Sequence, residues 1–202
     1  MATDTGICNS ALLKIGATRI SSLTQGTKNA NACQEQYEKL RDDLLRQHAW
    51  NFAVKRRKLA QLTEAPTYEF DHAYQLPTDW LRVLAVHDND AGHGTVEYRI
   101  EEAKTLLSSS DEIWLTFVRQ VVDANEMTPD FRETLAAYLA RELAIPIAES
   151  NSLWERMDID YRRRLRRARS ADSIEDFPAR RPAGSWVNAR HRTHGLRDDW
   201  PQ

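Results

Sequence analysis

The densest chemistry in this sequence is a run of guanidinium groups: Arg162, Arg163, Arg164, Arg166, Arg167 and Arg169 fall within a single short stretch. Such a run can meet nucleic-acid phosphates through salt-sensitive contacts. It can equally form a partner-contacting face, because guanidinium makes bidentate, weakly hydrated contacts, or a solvated helix face softened by Asp158 and Asp160. No stacking aromatics are interleaved with these arginines, which weighs against nucleic acid. Trp186 and Trp200 lie beyond the run in a stretch without periodic pattern; an aromatic there is unfavourable unless a partner covers it, and Trp with Arg is common anchor chemistry of interfaces.

Three other groupings read as bland. His87, Asp88, Asp90 and His93 crowd one turn, but their spacing fits no zinc or calcium site, so a polar hairpin loop is expected and no metal or other cofactor. The carboxylate pairs Glu101-Glu102 and Asp111-Glu112 lack the separation a glycosidase needs, because neighbours on a strand point to opposite faces. No Gly-rich phosphate loop, nucleophile elbow or Cys-His nucleophile pattern is present. These absences argue against an enzyme.

The elements that must carry these residues follow from periodicity. Ile7, Cys8, Ala11, Leu12 and Ile15 mark a short helix capped by Thr3 or Asp4 and stopped at Gly16, and a longer helix runs from about Lys28 to His48. Ala49 to Val54 reads as a strand or extended arm ending in the basic run Lys55-Arg56-Arg57-Lys58. Trp80 to Val86, Thr95 to Ile100, Thr105 to Ser108 and Ile113 to Val118 read as three or four short strands of one small antiparallel sheet inserted between helices. Pro129 opens a buried central helix that Pro146 should kink or interrupt, and a last helix from about Ser152 to Ser170 carries the arginines. The expected fold is therefore mainly α, a helical bundle over residues 1–171 with a β insertion at about 76–120, followed by an extended C-terminal arm at 172–202.

Composition sets the frame. A chain of 202 residues with 41% hydrophobic and 29% charged residues is long enough for one well-buried core. The formal charge of −2 conceals a basic end from about residue 151, where Arg replaces Lys entirely. Cys8 and Cys33 fit neither a metal knuckle nor a redox pair and read as buried thiols. The opening residues lack the apolar run of a secretory signal and no stretch reaches the roughly 20 apolar residues of a membrane span, so a soluble protein is expected.

Three blocks of the chain resemble the tail tubular protein A family, the head-to-tail adaptors of short-tailed (podovirus-type) bacteriophages. They are Ile7-Cys8-Asn9-Ser10-Ala11-Leu12-Leu13-Lys14-Ile15-Gly16 with Ile20-Ser21-Ser22-Leu23; the helix end Leu40 to His48 running into Ala49-Trp50-Asn51-Phe52-Ala53; and Tyr74-Gln75-Leu76-Pro77-Thr78-Asp79-Trp80-Leu81-Arg82-Val83. The stretch from Ala137-Tyr138-Leu139-Ala140 to Ala144 is similar to the family's core helix. The resemblance covers roughly residues 5 to 170, with the block ending at Ala53 its most specific part.

It implies a structural protein of the virion, assembled in the host cytoplasm as a homo-oligomeric ring of about twelve subunits between the portal protein and the tail nozzle. Such a ring extends the channel through which genomic DNA passes without specific binding, and seals the filled head. Arg162, Arg163, Arg164, Arg166, Arg167, Arg169, Trp186 and Trp200 are then the candidate portal or subunit interface. The alternatives are a nucleic-acid-binding protein using the arginine helix and a tail-associated polysaccharide hydrolase using Glu101 or Glu102.

Overall fold

The computed structural model describes residues 1–92, 94 and 96–175. Helix α1 (Asp4–Lys14) begins where the Thr3 hydroxyl accepts a hydrogen bond from the Gly6 amide at 3.0 Å. It ends at Gly16, whose φ of 72° suits glycine. The link to α2 (Lys28–Gln47) is pinned by Asn9, whose side chain donates to the Ile20 carbonyl at 2.9 Å and accepts from the Ile20 amide at 2.8 Å. Thr27 caps α2 in the same way as Thr3 caps α1.

Helix α3 (Pro129–Ala148), with Thr128 as cap and proline in its first turn, is the buried centre: Phe131, Leu135, Ala137, Leu139, Ala140, Leu143 and Ala144 are all inaccessible to solvent. Its alanines let α1, α2 and α4 (Asn151–Glu175) approach closely. Pro146 does not interrupt the helix, which continues to Ala148; it lies in the last turn, two residues before the end, and Glu149 then adopts a left-handed φ of 51° and turns the chain back into α4. Helix α4 also continues past Ser170 to Glu175, so residues 172–175, expected to open the arm, are helical.

The β structure is larger than a single inserted sheet. Strands β1 (Val54–Lys58), β2 (His72–Gln75), β3 (Trp80–His87), β4 (Arg99–Glu101), β5 (Thr105–Ser108) and β6 (Trp114–Arg119) form two three-stranded antiparallel sheets, in the orders β1-β6-β3 and β2-β5-β4. Helix accounts for 46% and strand for 18% of the described residues, so the fold is a mixed α/β one and the mainly α expectation is corrected. The reason is local. The basic run Lys55 to Lys58 is itself the strand, whereas Asn51–Ala53, expected to be extended, is a 3-10 turn.

Strand β6 is a wall shared by two cores. Leu115 and Phe117 point into an apolar layer between the sheets with Tyr74, Leu76, Val86, Leu106 and Ile113. Val118, on the opposite face by strand alternation, joins the helical core with Trp50, Leu44, Leu45 and Phe131. Trp50 sits where these parts meet: fully buried, it donates its indole N–H to the Leu44 carbonyl at 3.0 Å and packs edge-on against Phe131 at 5.1 Å.

Candidate functional site

The arginine run lies in the middle of α4, and helical geometry divides it. Tyr161 and Ala168 face the core, so Arg164 and Arg169 flank the buried stripe while Arg162, Arg163, Arg166 and Arg167 project outward. Arg169 turns inward and donates to the Gln47 carbonyl at 3.3 Å, tying α4 to the end of α2. Arg164 is two-thirds buried between Asp160 at 2.7 Å and Glu133 of α3 at 3.3 Å.

Carboxylates answer most of the outward charge. Arg162 pairs with Asp158 at 2.8 Å, Arg163 with Asp160 at 2.8 Å, and Arg167 approaches Asp130 at 4.0 Å. The i,i+4 spacing of Asp158 to Arg162 and Asp160 to Arg164 is the helical register in which such pairs meet. Asp158 is bridged further by Arg141 at 3.1 Å, and the Arg141 guanidinium lies over the stacked rings of Tyr138 and Tyr161, 4.6 and 5.0 Å from their centroids. Burial works against the Arg141 charge, but hydrogen bonds to Glu142 and Asp158 outweigh it and raise its pKa. Burial likewise opposes ionisation of Asp160, and the bonds from Arg164 and Arg163 override it, holding the carboxyl below its ordinary value.

Between α3 and α4, Asp130, Glu133, Thr134, Arg163, Arg164 and Arg167 line a cleft of about 490 Å³. Two features here are not evident from sequence. Arg156 lies two helical turns before Arg163 on the same outward stripe, and Ile159 and Ile174 are 67% and 80% exposed on this helix. The second feature is Asp172, 6% exposed, which accepts from the Asn51 amide at 3.0 Å and meets His48 Nε2 at 2.9 Å, locking the last turns of α4 onto the turn after α2.

The other sequence candidates are dispersed. Trp186 and Trp200 lie outside the described residues, as does His93. His87 Nδ1 meets the Gly94 carbonyl at 2.8 Å, and among the described residues no group of three or more His, Cys, Asp or Glu could hold a metal ion. Asp111 faces His72 at 3.2 Å and Glu112 pairs with Lys58 at 2.6 Å, each in its own surface pair. Glu101 and Glu102 border an open cleft with Glu64, Glu69 and the exposed Tyr68. Glu101 ends β4 and Glu102 opens the tight turn to β5 with a φ of 52°.

No described helix is long and apolar enough to cross a membrane. A scan against protein-family models and a search of curated proteins find no match to this chain.

Proposed function

We propose that this chain is a head-to-tail adaptor of the tail tubular protein A type, a structural subunit that joins others in a ring between a phage portal and the tail nozzle. The outward face of α4 (Arg156, Ile159, Arg163, Arg166, Arg167, Ile174) is its contact with the portal or a neighbouring subunit. The observation that carries the reading is where the resembling residues sit. The most specific block, Leu40 to Ala53, forms the junction of α2, α3, α4 and β1: Trp50 plugs the helical core, Phe52 packs edge-on to Phe131 at 5.1 Å, and Asn51 Nδ2 donates to the Asp172 carbonyl at 2.8 Å. Residues that specify such a junction are those a shared fold would keep.

The α4 face supports the reading independently. A closed ring needs a heterologous interface, two different patches on one subunit, and a face of partly paired arginines with two separate exposed isoleucines has charges and apolar anchor points for one side. Its own carboxylates reduce the long-range field that nucleic-acid binding by this helix would require.

The test is electron microscopy of the purified protein with its cognate portal ring. A rotationally symmetric collar on the portal is expected, lost when Arg163, Arg166 and Arg167 are replaced by Glu while the far-UV spectrum is unchanged. A wild-type protein that leaves the portal bare, or a triple variant that still forms the collar, overturns the assignment.

A further inference from the structure

A second cationic surface lies on the sheet, on a different element from the arginine run. Strand β1 is the edge of its sheet, paired only with β6, and its four residues after Val54 are all basic and all exposed. Lys55 leans on Asp79 at 3.3 Å; Lys58 leans on Glu112 at 2.6 Å and over the Trp114 ring, 5.4 Å from its centroid. Arg56 and Arg57, between them, have no carboxylate within ion-pair distance among the described residues. Beside them a groove of about 840 Å³ runs between the start of β1 and the end of α4, lined by Ala49, Asn51, Val54, Lys55, Arg56 and Glu175.

We propose that the Lys55–Lys58 edge of β1 binds the sugar-phosphate backbone of double-stranded DNA without regard to sequence, with Arg56 and Arg57 as the contacting cations. Alternation along the strand puts Lys55 and Arg57 on one face and Arg56 and Lys58 on the other, the two cations of each face about 6.6 Å apart, so the open edge carries positive charge on both faces toward a polyanion such as the phosphate backbone. Hydrogen bonding to β6 from Val54 to Lys58 fixes the spacing of these cations before any ligand arrives.

A protein partner fits this surface less well. The strand exposes no apolar side chain to supply the desolvated centre an interface needs, in contrast to Ile159 and Ile174 on α4. Charge on an edge strand also deters edge-to-edge aggregation. That role would be met by the lysines alone and does not call for two further uncompensated arginines.

The surface does not rest on the adaptor assignment and is tested apart from it. The full chain is titrated into a fluorescent 30-base-pair duplex at several NaCl concentrations between 50 and 200 mM, read by anisotropy, with two unrelated sequences. Equal, salt-sensitive binding of both is expected. The R56E/R57E variant keeps a charged, aggregation-resistant edge; it is expected to bind at least about tenfold more weakly and to reduce the slope of log K against log salt by about 1.8, or 0.9 for each phosphate no longer neutralised. R163E/R166E/R167E is expected to bind as the wild type does. A wild-type chain that ignores the duplex at 50 mM NaCl, an R56E/R57E variant that binds normally, or an equal weakening by the α4 variant overturns the proposal. A portal collar without DNA binding would remove this surface and leave the adaptor standing; DNA binding without a collar would do the reverse.

Discussion

Asp172 offers the sharpest energetic test of how α4 is held. Its side chain is 5% exposed and serves as acceptor for the Asn51 amide at 3.0 Å and partner of His48 Nε2 at 2.9 Å, so solvent does not screen either interaction. Hydrogen bonds to a charged group contribute about 1.5–3 kcal/mol each. Truncation to alanine removes both and leaves the half-buried Asn51 amide without its acceptor, while the bond from Asn51 Nδ2 to the Asp172 main-chain carbonyl survives because it uses no side-chain atom of Asp172. Recovery of the carboxylate's desolvation cost offsets part of the loss, so Asp172→Ala should destabilise by about 3 kcal/mol, the low end of the sum for two such hydrogen bonds. In a chain of this size that lowers Tm by about 6–12 °C. Asp172→Asn retains an oxygen for the Asn51 amide and should cost about half as much. Urea unfolding followed by tryptophan fluorescence and far-UV circular dichroism would measure both, and His48→Ala in a double-mutant cycle should show coupling of about 1 kcal/mol or more with Asp172→Ala. A loss below about 1 kcal/mol for Asp172→Ala, or an Asn variant as damaged as the Ala one, would refute the assignment of Asp172 as the anchor.

Two further outcomes follow from the ionisable groups. Because Arg164 and Arg163 hold the Asp160 carboxyl below its ordinary value of 3.8, its charge stabilises the fold fully above that value, and this contribution is lost as pH falls through the lower folded-state value; the Tm gap between wild type and Asp160→Asn should therefore be widest at neutral pH and close on acidification, and a gap constant from pH 7 to pH 2 would contradict it. Cys8 and Cys33 are both fully buried between α1 and α2, and a hydrogen bond between the two thiols together with burial pushes the Cys8 thiol well up; native protein at pH 8 should release almost no thionitrobenzoate from Ellman's reagent and two equivalents in guanidinium, whereas one fast equivalent in the native state would show an accessible thiolate.

The helices are legible in the sequence because their signals are local. Thr3 announces the first cap, Pro129 the start of the central helix, and the stripe Cys33, Tyr37, Leu40, Leu44 repeats with the helical period. Strand β1 is not legible because an edge strand exposed on both faces has no alternation to display, and Lys-Arg-Arg-Lys reads as punctuation until β6, some sixty residues later, pairs with it. Strand β2 is only four residues, and its two buried members, Ala73 and Tyr74, are adjacent in sequence. Without these two strands, a two-sheet unit with its own core reads as a small insertion. At the site, the arginines form one undivided run in sequence, and only the placement of Tyr161 and Ala168 against the core separates inward Arg169 from outward Arg163 and Arg167. Asp172 reads as the start of a polar arm; its burial depends on His48 and Asn51, which lie more than a hundred residues earlier.

The two basic surfaces differ in a way that bears on what each can recognise. On α4 most of the cations are interleaved with Asp158 and Asp160 and backed by Glu133 and Asp130, so much of the field is answered locally, with Arg156 and Arg166 outside the ion pairs among the described residues. Such a face discriminates by geometry, because a partner must re-pair each charge as it displaces water. On β1 the two central cations are uncompensated and flanked by lysines, so the field reaches outward and is indifferent to the detailed shape of what answers it. Strand β6 joins the two: it contributes Val118 to the core that supports α4 and hydrogen-bonds along the whole of β1. If both proposals hold, the α4 face would orient a protein neighbour and the β1 edge would meet a polyanion, on two elements held in one framework by β6.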